Sequence, residues 1–340
     1  MLDFVRRKVS ALHRYLVEYH PVVGYRFIPG LKARHPHESG GYLIRINNAG
    51  FRSNYDFVPQ KRPGIRRILL FGDSFTFGDG VAVEKRYGDL LEKAIPNLEV
   101  YNFGLTGSGT DQQYLAYREF AADIEFDVII LAVWVENIRR VAAHYSYSYD
   151  EVGVVKCIAK PYYELNDGKL VLRNGPPARE LIPEADLPEA ERQFVYKGGR
   201  LARVKRLLAR FGVTRLAQRI MKPQAFPEYD SPLNPSWQTM RAILEEWIGL
   251  NPKKTLLMPL PTHHYIEEVS SPTQYQARFH EVADAANCLI LDPLPHFLRY
   301  SSSERRRFRF PRDVHLTTGG HAALAAGMLP VLERLLESTK

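Results

Sequence analysis

The fold is decided by residues 66–75, Arg66-Arg67-Ile68-Leu69-Leu70-Phe71-Gly72-Asp73-Ser74-Phe75. The apolar run over 68–71 is short and ends in turn residues, which predicts a strand buried on both faces of a parallel sheet. Reactive groups of open α/β sheets collect at the carboxyl ends of the strands, so Ser74 has the position of a nucleophile. The alternative is a Gly-Asp-Ser turn in which the serine only caps a helix.

Strands and helices alternate after this stretch. The patterns predict helices over 85–95, 112–122, 236–250, 272–286 and 318–336, and strands over 99–103, 126–133, 255–259 and 288–292. Such alternation implies right-handed crossovers and a parallel sheet between two layers of helices. The predicted fold class is therefore a three-layer α/β/α protein with a parallel sheet.

We place this core at residues 65–143 and 236–340. One segment precedes it and a second segment interrupts it. Residues 1–64 form an N-terminal extension, with a basic amphipathic helix over 3–19 and a small β appendage that includes a strand over 40–47. Docking of that helix on the protein's own core is favoured over contact with a membrane surface. Residues 144–235 form an insertion, interpreted as a lid, with a hairpin over 160–172 and a basic helix over 194–221.

Composition narrows the function classes. The 340 residues are 45% hydrophobic, enough for a large core, and carry 46 basic against 38 acidic side chains, giving a net charge of +8. The excess favours an anionic partner, but no nucleic-acid-binding motif accompanies it, so a nucleic-acid partner is not expected. Cys157 and Cys288 are expected to be free thiols, and with no signal peptide or apolar run of about 18 residues the sequence predicts a cytoplasmic protein.

Acyl transfer by serine needs a nucleophile, a base, an acid that orients the base, and donors for the oxyanion. The sequence offers Ser74 as the nucleophile, His315 as the general base and Asp313 as the residue that holds the imidazole. The backbone amides of Ser74 and Gly107 and the side-chain amide of Asn137 are candidates for the oxyanion hole. Glycine is favoured at 107 because a side chain would obstruct the approach of substrate to the amide.

Four sequence blocks carry a resemblance to a known family. They are Phe71-Gly72-Asp73-Ser74-Phe75, Asn102-Phe103-Gly104-Leu105-Thr106-Gly107, Asn137, and Asp313-Val314-His315. Together they resemble the blocks of the SGNH (GDSL-like) hydrolase superfamily, over residues 66–137 and 255–336. The resemblance implies a flavodoxin-like sheet, the roles given above, and esterase, lipase-like or carbohydrate O-acyl chemistry.

The chain departs from the family pattern at two blocks. The usual Gly-x-Asn-Asp is replaced by Val135-Glu136-Asn137-Ile138, which keeps only the asparagine, and the usual Asp-x-x-His becomes Asp313-Val314-His315. The Asp-x-His spacing resembles the carbohydrate-acetyl branches of the superfamily. Asp292 is a second candidate for the orienting acid, although capping its strand is the favoured interpretation.

Further residues could line the site. His263 and His264 follow a predicted strand and are candidates for substrate contact, but they are too few for a metal site. Trp134 and Tyr265 could stack on a sugar or pack in the core. Asp73 is also a candidate for substrate contact, although stabilising the turn before Ser74 is the favoured interpretation. No cofactor is expected, since Gly104, Gly107 and Gly109 do not follow the GxGxxG order of a dinucleotide site.

These observations predict a serine hydrolase that cleaves an O-acyl or O-acetyl ester, on a carbohydrate or small metabolite, through an acyl-enzyme on Ser74. An acyltransferase that uses the same site, with the lid excluding water, is one alternative. A catalytically silent binding module is another. The sequence leaves the acyl group, its acceptor and the oligomeric state open.

Overall fold

A computed structural model describes residue 12 and residues 14–192 and 222–338 of the chain. Its centre is a parallel sheet of five strands, β1 (Arg66–Gly72), β2 (Leu98–Gly104), β3 (Val128–Trp134), β4 (Thr255–Leu260) and β5 (Leu289–Ile290). The order across the sheet is β2-β1-β3-β4-β5. This is the 2-1-3-4-5 order of flavodoxin-like sheets, so the predicted fold class is confirmed.

Strand β1 is paired on both sides. Leu70 is opposite Asn102 of β2 on one side and Ile130 of β3 on the other. The residues from Ile68 to Phe71 are fully buried, which explains why the strand is a continuous apolar run and not an alternating one.

Helices cover both faces of the sheet. The longer ones are α1 (Tyr87–Ala94), α2 (Thr110–Phe120), α3 (Asn137–Ala142), α4 (Pro235–Leu250), α5 (Thr273–Ala286) and α6 (Thr318–Ser338). Helices α1 and α6 pack together on one face, whereas α2, α3, α4 and α5 pack on the other. The predicted core helices and strands are confirmed with ends shifted by a few residues, and the last strand is shorter than predicted.

The N-terminal extension contains two antiparallel hairpins. Strand Val17–His20 pairs with Gly24–Phe27, and Lys32–His35 pairs with Tyr42–Arg45. The predicted helix over 3–19 is therefore wrong from Val17 onward, because these residues form a strand; residues 1–11 and 13 lie outside the described chain. A small apolar cluster joins the extension to the core through Phe77, which stacks on Phe27 at a centroid distance of 4.7 Å.

The insertion contains the predicted hairpin. Strands Tyr162–Asn166 and Lys169–Arg173 pair around Asp167 and Gly168, whose φ angles of 50° and 74° are those of a tight hairpin turn. A three-stranded antiparallel sheet was not predicted; its strands are Tyr145–Tyr149, Val155–Ala159 and Leu181–Ile182. The basic helix predicted over 194–221 falls almost wholly in residues outside the described chain.

Shorter helices complete the description. They are Ser74–Phe77, Glu189–Arg192, His263–Ile266, Leu294–Phe297 and Ser302–Arg305, with 3-10 turns at Val83–Lys85, Glu184–Asp186, Pro227–Tyr229 and Pro252–Lys254. Within the described residues, no helix is long and apolar enough to cross a membrane. Cys157 and Cys288 are both free, as predicted.

Candidate active site

Ser74 lies in a tight turn directly after β1. Any side chain at Gly72 would collide with Thr76, because a Cβ there would approach Thr76 Oγ1 to 2.0 Å. Asp73 caps the four-residue helix that begins at Ser74, since its carboxylate accepts a hydrogen bond from the Phe75 amide at 3.0 Å. The helix stops at Gly78, which has a φ of 80°. These constraints fix the serine at the carboxyl edge of the sheet.

The loop before α6 brings His315 and Asp313 to Ser74. His315 Nε2 lies 2.7 Å from Ser74 Oγ, and His315 Nδ1 lies 2.5 Å from Asp313 Oδ1. The same carboxylate oxygen accepts a hydrogen bond from the His315 backbone amide at 2.9 Å. When the proton of a neutral imidazole is on Nδ1, Nε2 is free to accept from the serine hydroxyl. The three residues thus form one continuous hydrogen-bonded chain.

The charges around His315 favour its protonated form. Burial lowers the pKa of His315, but the hydrogen bond to Asp313 and the charges of Asp79, Asp313 and Asp73 outweigh this effect, so the pKa is raised. Asp79 Oδ2 lies 3.8 Å from His315 Nε2, and Asp79 Oδ1 accepts a hydrogen bond from Tyr42 at 2.8 Å. For Asp313, burial raises the pKa, but the hydrogen bonds from His315 and the nearby ring of His37 hold it well below its usual range.

Asp73 is engaged within the protein. It has no exposed surface, and its Oδ2 accepts a hydrogen bond from Arg140 Nη1 at 3.0 Å. Arg140 also donates to the Ser108 carbonyl at 3.0 Å and so connects the turn at Ser74 with the glycine loop after β2. Burial raises the pKa of Asp73 despite the neighbouring guanidinium. This geometry agrees with a role in stabilising the turn.

Gly107 lies in the loop that follows β2. Its φ of 82° is in the left-handed region that favours glycine, and a Cβ there would lie 3.3 Å from the Tyr25 hydroxyl. Tyr25 donates a hydrogen bond to the Thr106 carbonyl. The N-terminal extension therefore packs directly on the glycine loop.

Two buried asparagines near this edge differ in their hydrogen bonding. Asn102 Nδ2 donates to the Thr76 carbonyl at 2.8 Å, and Asn102 Oδ1 accepts from the Gly104 amide at 2.9 Å. Asn137, the first residue of α3, is 0% exposed, yet neither polar atom of its side chain has a partner among the described residues. A buried amide without partners is uncommon and calls for an explanation.

The topology places these residues at one location. Ser74 follows β1 and Asn137 follows β3, and β1 and β3 are the neighbouring strands between which the order of the sheet reverses. Ligands of open α/β sheets bind at this switch point, beyond the carboxyl ends of the strands. Asp292 is not part of the network, because its carboxylate accepts from the Leu294 amide at 2.8 Å and from Gln276 at 2.6 Å.

A narrow cleft of about 10 Å³ lies beside Phe75 and Val314, the residues next in sequence to Ser74 and His315. Its apolar lining includes Phe75, Pro261, Ile266, Phe308, Val314 and Leu316. His263 also lines this cleft. The neighbouring His264 has its Nδ1 3.2 Å from Thr262 Oγ1, and burial lowers the pKa of its ring.

The two aromatic candidates are buried. Trp134 packs against Phe75 at a centroid distance of 4.8 Å. Tyr265 donates a hydrogen bond to Gln224 at 3.0 Å. Both side chains pack inside the protein, as expected for core residues.

Several residues that contact this network were not singled out from the sequence. Asp79 follows the stretch over 66–75 and looks in the sequence like an ordinary turn residue, and Arg140 is one of many arginines typical of a protein surface. His37 belongs to the N-terminal extension, and its Nε2 lies 3.5 Å from Asp313 Oδ2. In the part of the chain that the structure describes, no cluster of His, Cys, Asp and Glu could hold a metal ion.

No protein-family model and no curated protein matches the chain. Several solved structures do match the chain. A member of the lipolytic G-D-S-L family from Veillonella parvula DSM 2008 is 13% identical with a TM-score of 0.43, and covers 79% of this chain and 99% of its own. A lipase/acylhydrolase from Enterococcus faecalis is 15% identical with a TM-score of 0.43, over 79% of this chain and 96% of its own.

The acetyl xylan esterase AlAXEase is also 15% identical, with a TM-score of 0.44 over 78% of this chain and 99% of its own. The chain is thus similar to structures described as lipolytic, lipase/acylhydrolase and esterase proteins.

Proposed function

We propose that the protein is a serine hydrolase that cleaves a carboxylic ester through an acyl-enzyme on Ser74. One observation carries the proposal: Ser74 Oγ, the His315 ring and Asp313 form an unbroken hydrogen-bonded chain, with contacts of 2.7 and 2.5 Å. The arrangement provides a nucleophile, a base and an acid that orients the base.

The proposed reaction has two halves. Ser74 Oγ attacks the ester carbonyl while His315 Nε2 takes the hydroxyl proton, and the imidazolium then gives this proton to the departing alkoxide as the ester bond breaks. Water next attacks the acyl-enzyme, with His315 accepting a proton from the water and returning it to Ser74 Oγ as the acid leaves. Asp313 keeps the imidazole oriented and stabilises its charged form.

The oxyanion hole is proposed to consist of the Ser74 and Gly107 amides and the Asn137 side chain. The first N–H groups of a helix have no acceptor within it, so the Ser74 amide at the start of its helix is available to a ligand. The buried Asn137 side chain without partners supports the same assignment, because a negative oxygen would supply the missing acceptor.

The cleft supports a small acyl group. Its free volume of about 10 Å³ is room for about one water molecule, far below the range of about 300–1,000 Å³ typical of pockets for drug-sized ligands, and its lining is mainly apolar. We therefore propose short O-acyl esters, such as acetyl esters of a carbohydrate or small metabolite, as the substrate class.

We propose that the chain divides into an extension over 1–64, a core over 65–143 and 236–340, and a lid over 144–235. One contact supports a place for the insertion near the site: Lys160 of the insertion forms a buried ion pair with Asp111, two residues after Gly109 of the glycine loop. Burial raises the pKa of Asp111 even with this partner.

A fluorophosphonate probe tests the proposal, because it forms a stable adduct only with an activated serine. The wild-type protein should be labelled, the Ser74→Ala variant should not, and the matched variant Ser236→Ala, altered in the first turn of α4, should be labelled like wild type. Absence of labelling in the wild type would contradict a hydrolase and favour a binding module. Transfer of the acyl group to an added alcohol in place of hydrolysis would assign an acyltransferase.

The pH dependence should reflect the raised pKa of His315. Only the neutral imidazole accepts the serine proton, and a raised pKa keeps the ring protonated to higher pH, so kcat/KM should fall as the pH drops through a midpoint above 6.5. The measurement is a pH profile of p-nitrophenyl acetate hydrolysis. Because the charge of Asp79 raises this pKa, Asp79→Asn should move the acidic limb to lower pH. A wild-type midpoint below 6.5, or an unmoved limb in the variant, would contradict this electrostatic account.

A further inference from the structure

A turn of the N-terminal extension packs against the loop that carries Asp313. The turn connects strands Lys32–His35 and Tyr42–Arg45. Within it, Glu38 accepts a hydrogen bond from the Arg312 amide at 3.0 Å, and Ser39 Oγ donates to the Gly80 carbonyl at 2.7 Å. The turn is thus held on one side by the histidine loop and on the other by the segment after Ser74.

The geometry fixes the ring of His37. Its Nδ1 accepts a hydrogen bond from the Ser39 amide at 3.1 Å, so the proton of the neutral ring belongs on Nε2. The ring also meets Phe310 edge-on at a centroid distance of 4.5 Å. Gly80 leaves room for it, since a Cβ at that position would lie 2.6 Å from His37 Cε1.

The Nε2–H group of His37 faces the carboxylate of Asp313. The His37 side chain is 11% exposed, and its Nε2 is fully buried 3.5 Å from Asp313 Oδ2. This distance is longer than an ordinary hydrogen bond, and the nitrogen makes no hydrogen bond among the described residues. His315 uses the other oxygen, Oδ1, through both its ring and its backbone. The two histidines therefore contact different oxygens of one carboxylate.

We propose that His37 is a positioning residue for Asp313, and that the N-terminal extension thereby completes the catalytic site. This inference rests on the proposed function. A carboxylate held through one oxygen alone can rotate about its side-chain bonds, whereas a donor on the second oxygen fixes the plane that His315 Nδ1 needs. The other charged groups at this contact are Glu38 and Arg312, which pair with each other at 3.3 Å, and Asp79, which faces His315.

Two substitutions separate a positioning role from a packing role. His37→Phe keeps a ring against Phe310 but loses the donor, whereas His37→Gln loses the ring but can place an N–H near Asp313. We expect His37→Phe to lower kcat for p-nitrophenyl acetate about tenfold with KM unchanged, as for a lost hydrogen bond to a charged group. His37→Gln should retain most of the wild-type kcat. If His37 served only in packing, His37→Gln would have the lower kcat and His37→Phe would retain most of the wild-type kcat.

Glu38→Gln is the matched control, since it alters the same turn and the same neighbouring loop at a partly exposed ion pair; its kcat should equal that of wild type. Thermal unfolding of each variant reports loss of fold separately. Equal kcat values for wild type and His37→Phe would overturn the inference.

An NMR measurement keeps this inference distinct from the proposed function. The proton of His315 Nδ1 bonded to Asp313 should give a far-downfield imidazole resonance, which should broaden or shift in His37→Phe and persist in His37→Gln. If the His315 Nδ1 proton resonance depends on the residue at position 37 but the wild-type protein is not labelled by the fluorophosphonate, the hydrolase is refuted and the positioning contact is supported. If labelling is normal and the resonance is the same in wild type and His37→Phe, only the positioning contact is refuted.

Discussion

Replacing Asp313 with asparagine should lower kcat by about four orders of magnitude, the effect known for the corresponding change in serine proteases. An asparagine side chain can still accept from the His315 backbone amide through its carbonyl oxygen, so the local turn is kept. The same oxygen would still face Nδ1, but it carries no negative charge, and the NH₂ group would take the place of Oδ2 beside His37 Nε2. Asparagine therefore no longer stabilises the imidazolium that forms when His315 takes the proton of Ser74.

Asp292→Asn is the control for this prediction. Asp292 is the other acid that follows a core strand, but Gln276, Tyr275 and the Leu294 amide occupy its oxygens. We expect the Asp292 variant to change the melting temperature and to leave kcat within a few-fold of wild type. Steady-state kinetics with p-nitrophenyl acetate and thermal unfolding give the two readouts. Near-normal turnover by Asp313→Asn, or an equal loss in both variants, would eliminate Asp313 as the residue that orients the base.

The core could be predicted from the sequence because its signals are local. The apolar run over 68–71 carries no polar residue, so the only stable place for it is a strand covered on both faces. The turn at Gly72 and Asp73 is equally local, since the Asp73 side chain bonds the Phe75 amide two residues away. The structure agrees with both predictions.

Elements whose conformation depends on pairing with another strand were the ones mispredicted. Residues 17–20 have the apolar spacing of a helix end, but pairing with strand Gly24–Phe27 turns them into a strand. The three-stranded sheet of the insertion likewise depends on Leu181 and Ile182 pairing with a strand more than twenty residues earlier. Such pairings override local propensity and leave little trace in the sequence.

The same reason explains why the contact of His37 with Asp313 could not be predicted from the sequence. The turn that carries it meets the histidine loop across a separation of 274 residues, as between Glu38 and Arg312, and no spacing rule connects positions so far apart. Hydrogen-bond satisfaction is also invisible in a sequence. Asn102 and Asn137 both stand near ends of core strands. Only the structure shows that the Asn102 side chain donates and accepts a hydrogen bond, whereas the Asn137 side chain has no partner among the described residues.

This difference between the two asparagines leads to the second large prediction. Asn137→Ala should lower kcat about 10²-fold to 10³-fold, the usual cost of removing one oxyanion donor. Its effect on stability should be small, because the variant removes a buried amide that makes no hydrogen bond in the described protein, and this gain opposes the loss of packing. KM for p-nitrophenyl acetate should change little, since the donor acts mainly on the charge that develops in the transition state.

Asn102→Ala is the matched comparison on stability. It leaves the Thr76 carbonyl and the Gly104 amide without their partner inside the core, which should cost about 1–3 kcal/mol of unfolding free energy. Denaturant unfolding and steady-state kinetics of both variants should therefore give opposite patterns, with lost turnover at Asn137 and lost stability at Asn102. If Asn137→Ala instead unfolded as readily as Asn102→Ala and kept its turnover, Asn137 would be a structural residue and the oxyanion hole would have to form from backbone amides alone.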